Sequence, residues 1–468
     1  MVLDMKLTRG EILALVAMSF GVCMDGLDAS IVSIALPSIA ESFGTDTSEV
    51  AWVTIMYFMM IAGLMLSFGR IADSGHIRKV YIAGFTIFSV ASLFCGLSQD
   101  LGMLVASRCA QGIGAAMIGS VAPMICVKFL PPEKLGIAMS ALMVGGSFGF
   151  GAGPAVGGLI VDLASWHWAF FINVPIGAIA ILFALRALPK DKPAKKSGLD
   201  LPGTALLFIA VVCGVYALEM FSKDGQTTIC ILMALAMFVF LFLFAKVERK
   251  VTNPVLNIDM FRSWRFDFSM ICYMVLNICY MGMAYVLPFY LTKELGLSFT
   301  FSGILLLIPA AVTIIIGLPV GRYADVHGKR GLSILCASCL LLTTIGYAAI
   351  NPDMGWLPFI PMGLLSGIVW GVCGSSVTAR IVDLAPEKER GMAASISNFL
   401  YYVGGAIGTA LFASLVTFGA GASGVPVEDL PLEDFMDGFT FTMICAVAIS
   451  LVCLYTAWAI NEKKMQPS

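Results

Sequence analysis

The sequence predicts an all-α polytopic membrane protein, because of its composition and its regular succession of apolar stretches. Of its 468 residues, 59% are hydrophobic and only 12% are charged, and the mean hydropathy is +0.93. A soluble chain would carry about a quarter charged residues. A helix needs about 20 mostly apolar residues to cross the hydrocarbon of a bilayer. Fourteen stretches meet this requirement, at residues 11–36, 50–68, 80–98, 101–127, 137–161, 168–188, 201–221, 227–246, 267–291, 300–320, 331–350, 356–382, 391–418 and 438–460.

The first span follows the basic residues Lys6 and Arg9, as the apolar region of a signal peptide would. It is longer than such a region, lacks a small-residue cleavage site and contains two aspartates, Asp25 and Asp28. We therefore predict that it is retained as a transmembrane helix.

Spans 1 to 6 and spans 9 to 14 read as two copies of one unit. The loop from Gly69 to Lys79, between spans 2 and 3, recurs from Gly321 to Arg330, between spans 10 and 11. The residues Pro-Glu-Lys that begin at Pro132 before span 5 also occur before span 13. Spans 7 and 8 remain as an inserted pair. The predicted domains are a six-helix bundle at 1–190, a linker with two inserted helices at 191–262, and a second six-helix bundle at 263–468. Duplicated membrane bundles can rock against each other around a central site.

The distribution of Lys and Arg predicts the topology, because these residues accumulate in cytoplasmic loops. With the N-terminus inside, all but three of the 28 Lys and Arg residues fall in inner segments, and the exceptions are Lys223, Lys293 and Arg108. We expect an even number of spans, both termini in the cytoplasm and a place in the plasma membrane. The basic stretch from Lys190 to Lys196 is expected to be a cytoplasmic linker that contacts anionic lipid headgroups or is simply solvated.

Five motifs occur in order along the chain. They comprise Leu27, Asp28, Ile31, Val32, Ala35, Leu36 and Pro37 in span 1; Gly69, Ala72, Asp73, Arg78 and Lys79 in the following loop; Arg108, Gln111, Gly112, Gly114, Ala115 and Ala116 in span 4; Gly149, Gly153, Pro154, Gly157 and Gly158 in span 5; and Trp166 to Gly177 at the start of span 6. In this pattern the chain resembles the major facilitator superfamily, and within it the fourteen-span drug:proton antiporter branch. The resemblance implies the major facilitator fold, with two six-helix bundles plus two inserted helices, and proton-coupled antiport.

Charged residues inside spans are costly and are usually functional. Asp25 and Asp28 are three residues apart and share a helix face. Asp28 lies roughly 12 Å below the outer end of span 1, and Arg108 lies roughly 10 Å below the outer end of span 4. We predict that Asp28 and Arg108 approach within hydrogen-bond reach, and that Asp28, Asp25 and Arg108 couple proton binding to conformational change. A purely structural role for the aspartates, near a helix end, is the alternative.

The duplicated loops are interpreted as gates that hold the inner faces together in one state. Their candidate residues are Gly69, Asp73, Arg78 and Lys79 in the first copy and Gly321, Arg322, Asp325, Lys329 and Arg330 in the second. The alternative is that the basic residues only set topology. In the first copy the glycine is displaced to Gly75, so the turn there is expected to differ.

Glycines in span 5 repeat every four residues and form a stripe on one face, which permits close helix approach. In the family this motif, with Gly149, Gly153, Pro154, Gly157 and Gly158, accompanies antiport; tight packing alone is the plainer explanation. The candidate substrate residues are Tyr273, Asn277 and Tyr280 on one face of span 9, together with Asn398 in span 13. The same stripe would equally serve as an interhelical seam.

The sequence offers little support for enzymatic chemistry. It has no GxxxxGK[ST] motif, and its three histidines are scattered over loops. Cys336 and Cys339 form a CxxC in an apolar helix, and we predict no metal site and no cofactor other than an ion gradient. We expect a monomer in the bilayer whose partners are protons and small molecules, not nucleic acid.

Three functions fit these observations. The first is proton-coupled export of hydrophobic or amphipathic compounds, including cationic ones. The second is export of a dedicated metabolite, siderophore or lipid. The third is a non-transporting membrane receptor on a transporter fold.

Overall fold

The computed structural model describes residues 8–45, 47–191, 200–221, 226–251, 254–421, 427 and 430–460. Lys6, Lys223 and residues 192–196 of the predicted linker lie outside this part of the chain. Its α-helices are α1 Arg9–Phe43, α2 Thr47–Ile71, α3 Ile77–Gly96, α4 Leu101–Phe129, α5 Leu135–Leu163, α6 Trp168–Phe171, α7 Asn173–Ala187, α8 Leu201–Phe221, α9 Thr227–Glu248, α10 Trp264–Phe289, α11 Phe299–His327, α12 Arg330–Ala348, α13 Phe359–Cys373, α14 Ala379–Leu384, α15 Arg390–Gly419 and α16 Leu432–Ala459.

Twelve helical runs among the described residues are long and apolar enough to cross a membrane. One of them, Trp52–Gly96, is 45 residues long and contains most of α2 and all of α3, which the segment Ala72–His76 separates. In α8, Leu201–Ala217 is a shorter apolar helix. The predicted all-helical membrane fold is therefore confirmed with about twelve to fourteen apolar helices, while the count of fourteen stays a prediction.

Local sequence fixes several helix ends. Thr8 caps α1, and the side chain of Glu11 accepts a hydrogen bond from the Thr8 backbone N–H in return, which forms a capping box. The side chain of Asp100 caps α4 by accepting from the Met103 N–H at 2.8 Å. At the other end of α1, Gly44 adopts φ 60°, a conformation that glycine enters at no steric cost.

Two large buried apolar cores underlie two groups of helices, and a third, smaller cluster joins α1 to α4 with α6. One core is centred on α1 to α5 and α7, with side chains such as Met18, Tyr57 and Phe85. The other is centred on α10 to α16, with side chains such as Leu276 and Phe412. The inserted helices α8 and α9 pack against each other, and α8 also contacts α2 and α15.

The outer surface is apolar, as a lipid-facing surface should be. Helix α9 is the clearest case, because only 6% of its apolar stretch is buried. Ile231, Leu235 and Phe238 on this helix are each at least 60% exposed.

The two groups of helices meet along α5 with α11 and along α15 with α2 and α4. On α15, Ser395 Oγ donates to the Ser120 carbonyl and Asn398 Nδ2 donates to the Gly119 carbonyl, both at 2.8 Å. This interface positions the polar residues described next.

Candidate functional site

Asp28 and Arg108 form a fully buried ion pair between α1 and α4. Arg108 Nη1 lies 2.7 Å from Asp28 Oδ2, and both residues are 0% exposed. The distance agrees with the expectation from their matching depths in spans 1 and 4. A buried pair of this kind is tolerated only when further hydrogen bonds satisfy the remaining polar atoms.

Two amides supply those further bonds to Asp28. Its Oδ1 accepts from Gln111 Nε2 at 2.9 Å and from Asn173 Nδ2 at 2.6 Å. Gln111 is one turn from Arg108 on α4, and Asn173 begins α7. The carboxylate is therefore held by three donors from two helices, while Gln111 Nε2 also donates to Ser92 Oγ on α3 at 2.8 Å.

The guanidinium of Arg108 is also fixed by α2. Arg108 Nε donates to the Val53 carbonyl at 3.1 Å, and the Arg108 Cζ lies 3.9 Å from the centre of the Tyr57 ring. A cation above an aromatic face is attracted by the ring quadrupole, more strongly where water is excluded. Arg108 thus connects α1, α2 and α4.

Asp25 has a different set of partners from Asp28. Tyr57 Oη donates to Asp25 Oδ1 at 2.8 Å, and the Tyr402 hydroxyl of α15 donates to the other oxygen. Asp25 is partly exposed, whereas Asp28 is fully buried. Although the two aspartates are neighbours on one helix face, different side chains donate hydrogen bonds to them. Asp25 is bonded to both bundles, through Tyr57 and Tyr402.

The aspartates of the duplicated loops occupy equivalent places at helix N-termini of the opposite bundle. The Asp325 carboxylate accepts from the backbone N–H of Gly136 at 2.6 Å and of Ile137 at 3.0 Å, at the start of α5. Asp73 Oδ1 lies 2.6 Å from where a Cβ on Gly391 would stand, at the start of α15. The free N–H groups and the helix dipole stabilise the Asp325 carboxylate at the start of α5, whereas Asp73 Oδ1 approaches α15 without a hydrogen bond from it among the described residues.

Ion pairs surround Asp73 and cross the interface beside it. Lys128 Nζ lies 3.0 Å from Asp73 Oδ1, and Arg70 Nη1 lies 3.3 Å from Glu389 Oε2. Arg70 is on α2 and Glu389 immediately precedes α15, so this pair joins the two bundles. The sequence had not singled out Arg70 or Glu389.

The contacts described for the other basic candidates lie within one bundle. In the first loop, Arg78 Nη2 donates to the Leu185 carbonyl, and the backbone N–H groups of Arg78 and Lys79 donate to Asp191. In the second loop, Lys329 pairs with Asp383 and Arg330 Nη2 donates to the Trp458 carbonyl. Arg322 is exposed. Arg78, Lys79, Lys329 and Arg330 thus brace each loop against its own bundle. The polar contacts described for the loops across the interface come from Asp325 and Arg70.

Each loop contains one glycine in a left-handed conformation, Gly75 with φ 104° and Gly328 with φ 91°. Gly75 follows Asp73 by two residues and Gly328 follows Asp325 by three. The displaced glycine of the first copy therefore makes the turn one residue earlier, within the irregular segment Ala72–His76. Gly69 and Gly321 lie in close contact with the opposite bundle, against Ser395 and Ile137.

The glycine stripe of α5 packs against α1. A Cβ on Gly149 would stand 2.1 Å from the Cys23 carbonyl oxygen, and one on Gly153 would stand 1.7 Å from Ser30 Oγ. Gly157 faces Ile31 at 3.3 Å. Pro154 and Gly158 belong to α5, but their side-chain surroundings lie outside the described part. The stripe brings α1, which carries both aspartates, into backbone contact with α5.

The predicted substrate residues Tyr273, Asn277 and Tyr280 all lie on α10, but they have different neighbours. Tyr273 and Asn277 are buried on α10, and Asn277 faces Gly404 of α15. Tyr280 packs edge-on against Trp370 with ring centroids 4.6 Å apart. Asn398 bonds across the interface to α4, as described above.

A series of ring contacts leads from Tyr280 through Trp370 toward Asp25. The Trp370 ring centroid lies 6.1 Å from that of Tyr401, which lies 5.2 Å from that of Tyr402. We call Tyr280, Trp370, Tyr401 and Tyr402 the aromatic row; it ends at the hydroxyl that binds Asp25.

Besides Arg70 and Glu389, sequence reasoning misses Tyr57, Ser92 and Trp370. Gln111 and Asn173 were present in the motifs but were given no role there. A polar side chain in an apolar span was the available signal for Tyr57, Ser92 and the two amides.

Comparison with known proteins places these features in context. A family model described as Major Facilitator Superfamily matches residues 18–409. The chain is 29% identical over 404 residues to Multidrug resistance protein 3 of Bacillus subtilis, an alignment that covers 85% of this chain and 78% of that protein. It is 28% identical over 405 residues to Riboflavin transporter RibZ of Clostridioides difficile, covering 86% of this chain and 87% of that protein.

A solved structure supports the fold. The crystal structure of the human organic anion transporter MFSD10 (TETRAN) matches 96% of this chain and 100% of that chain with a TM-score of 0.68. The sequence identity is 16%, so the likeness concerns the fold alone.

Proposed function

Because the chain belongs to the Major Facilitator Superfamily, we propose that it is a proton-coupled antiporter that exports hydrophobic or amphipathic small molecules, cationic ones included, by alternating access. The proposal includes fourteen spans, both termini in the cytoplasm and a place in the plasma membrane. The observation that carries it is the buried pair of Asp28 and Arg108 at 2.7 Å.

Protonation of Asp28 would remove one partner of that pair. The neutral acid attracts the guanidinium of Arg108 far less, so the bonds that join α1, α2 and α4 are weakened. The change can reach the second bundle through three contacts in series. Arg108 lies over the Tyr57 ring, the Tyr57 hydroxyl donates to Asp25, and the Tyr402 hydroxyl of the second bundle donates to the same carboxylate. A proton at Asp28 can therefore bias the interface between the bundles.

The duplicated loops supply the gate in this proposal. Asp325 at the start of α5 and the pair of Arg70 with Glu389 hold the two bundles together on the side of these loops. The contacts must break when that side opens. The state described here is then the one in which the loop side is closed.

The aromatic row is the proposed surface for substrate. Tyr280 and Tyr401 are partly exposed, and their rings offer flat faces to flat, amphipathic molecules. The partly exposed carboxylate of Asp25 at the end of the row would attract a cation. Tyr273 and Asn277 support the row from the seam between α10 and α15.

Transport into proteoliposomes with an imposed pH gradient tests the proposal. The wild type should move several lipophilic cationic dyes against proton flux, and Asp28→Asn should reduce gradient-driven transport at least tenfold. Insertion of the variant is checked by its yield and elution profile in detergent. Undiminished transport by Asp28→Asn would refute the proton role, and absence of any substrate-evoked proton flux in the wild type would favour the receptor hypothesis.

Export of one dedicated compound is the second candidate, and the relative named Riboflavin transporter RibZ favours it. Growth of a deletion strain on a panel of toxic compounds separates the two. Sensitivity to many unrelated compounds supports broad export. Sensitivity to none, with transport of one metabolite, supports the dedicated function.

A further inference from the structure

Two carboxyl groups meet outside the central site, where the inserted helices begin and end. Asp200 immediately precedes α8 and Glu248 is the last residue of α9, and they are 6% and 4% exposed. Gly203 shows how close they are: a Cβ added there would stand 2.3 Å from Asp200 Oδ2 and 2.5 Å from Glu248 Oε1. The two oxygens therefore face each other across a space that only a glycine leaves open.

Backbone N–H groups donate hydrogen bonds to three of the four carboxylate oxygens of this pair. Asp200 Oδ1 accepts from the Gly203 N–H at 3.0 Å. Glu248 accepts from the N–H of Val255 at 3.2 Å and of Leu256 at 3.3 Å. Asp200 Oδ2, the oxygen that faces Glu248, is buried and has no hydrogen-bond donor among the described residues. A buried polar atom without a partner is costly, so this oxygen calls for a hydrogen that the neighbouring carboxyl group could carry.

No basic side chain in the described part of the chain pairs with either carboxyl. On α9 and its exit, Arg249 and Lys250 are exposed, and Lys246 lies over the Phe242 ring at 4.5 Å. Both α2 and α15 pack against α8. On α2, Arg70 is taken by Glu389 and Asp73, and Arg390 at the start of α15 makes no described bond to either carboxyl. Two buried carboxylates this close together, with no cation beside them in the described part of the chain, cannot both remain ionised.

We infer that Asp200 and Glu248 share one bound proton, which makes the base of the inserted helices a second protonation site, separate from Asp28 and Arg108. The proton lies between Asp200 Oδ2 and Glu248 Oε1, where one carboxyl donates and the other accepts. It supplies the missing donor to Asp200 and removes one of two facing negative charges.

This site is placed where it can influence the connection between the insert and the second bundle. Glu248 holds the backbone at Val255 and Leu256, on the path to α10. Asn257 Nδ2, next along the chain, lies 3.5 Å from Glu389 Oε1, and Glu389 pairs with Arg70. Loss of the proton would put two negative charges in contact and loosen this attachment.

Infrared spectroscopy of the purified full-length protein tests the inference directly. A protonated carboxylic acid has a C=O stretch that a carboxylate lacks. At neutral pH the wild type should show such a band, and both Glu248→Gln and Asp200→Asn should lose it. Either amide can donate the hydrogen that the proton supplied. Asp200→Asn keeps the bond from the Gly203 N–H, and Glu248→Gln loses only the 3.2 Å bond from the Val255 N–H, so both variants are expected to fold. Glu389→Gln is the matched control, since Glu389 is ion-paired and its replacement should leave the band unchanged.

A second measurement follows the pH dependence of thermal unfolding. A proton bound more tightly in the folded protein gives a stabilisation that is complete below the pKa of the unfolded carboxyls and is lost as the pH rises through the higher pKa of the folded pair. The wild type should therefore lose thermal stability on alkalinisation, and Glu248→Gln should lose less. A band that persists in both amide variants would overturn the inference. The infrared result does not depend on whether Asp28→Asn transports. The inference about Asp200 and Glu248 can therefore fail while the proposed function holds, and the reverse.

Discussion

At the scale of single residues, the chemistry depends on how many donors hold one buried carboxylate. Asp28 is satisfied by Arg108, Gln111 and Asn173, and a hydrogen bond to a charged group contributes about 1.5–3 kcal/mol. Asn173→Leu keeps the volume and removes one donor. We expect a loss of about 1.5–3 kcal/mol of stability, measured as a lower thermal unfolding temperature in detergent.

The control for this substitution is Asn351→Leu. Asn351 is exposed and its side chain accepts one weak local bond from the Asp353 N–H at 3.3 Å. Its replacement should change the unfolding temperature little. Equal effects of the two substitutions would contradict the role given to Asn173.

Two tyrosine hydroxyls bind Asp25, but only one of them crosses the interface. Tyr402→Phe removes the bond between the bundles, and Tyr57→Phe removes one within the first bundle. Loss of a bond to a carboxylate should shift the equilibrium between closed and open loop sides about tenfold in Tyr402→Phe. Spin labels on noncanonical amino acids, placed at the exposed positions of Glu133 and Glu387, would measure the distribution of distances between the loop sides of the two bundles.

In that measurement Tyr402→Phe should populate longer distances, and Tyr57→Phe should resemble the wild type. Matching distributions in all three proteins would mean that the Asp25 contact does not hold the bundles together.

The sequence could predict Asp28 and Arg108 but not these tyrosines, for a physical reason. A charge inside an apolar span has few tolerable positions, so an acid and a base at matching depth are expected to meet. A tyrosine can face lipid, core or a polar partner with little difference in sequence. The packing of α15 against α2 and α4 brings Tyr402 to Asp25.

At the scale of helices, the glycine stripe of α5 determines how closely α1 approaches. A Cβ on Gly149 would stand 2.1 Å from the Cys23 carbonyl oxygen, a backbone atom that moves only if α1 moves. Gly149→Ala should therefore cost at least about 1–3 kcal/mol and displace both aspartates from their donors. Thermal unfolding and transport should decline together.

Gly303 in α11 offers the matched control. Nothing lies within 4 Å of the Cβ that Gly303→Ala would add, and alanine favours the helix by up to about 1 kcal/mol. Its thermal stability should be unchanged or slightly raised. If Gly149→Ala were equally harmless, close approach of α1 and α5 would not be needed.

At the scale of the whole molecule, the sequence predicted the architecture better than the interface. Apolar length and the repeated loops predicted helices and their duplication, since a bilayer permits few alternatives. The partner of each loop was not predictable in the same way. Asp325 meets α5 and Arg70 meets Glu389 only because the bundles are docked, and docking leaves no periodic signal in the chain.

The pair of Arg70 and Glu389 allows the docking itself to be tested by charge exchange. These side chains are 24% and 15% exposed, so the pair is worth about 1 kcal/mol or less, while like charges in the same place repel. Glu389→Arg should shift the spin-label distances between positions 133 and 387 toward the open loop side by several fold in population. Arg70→Glu should do so as well, with added repulsion from Asp73, 3.9 Å from Arg70 in the wild type.

The double variant, Arg70→Glu with Glu389→Arg, restores opposite charges across the interface. It should recover most of the closed population that Glu389→Arg loses, short of the wild type because the new glutamate still faces Asp73. Recovery would tie the closed loop side to this contact between the bundles. A double variant as open as the single ones would leave Asp325 at the start of α5 as the contact that closes this side.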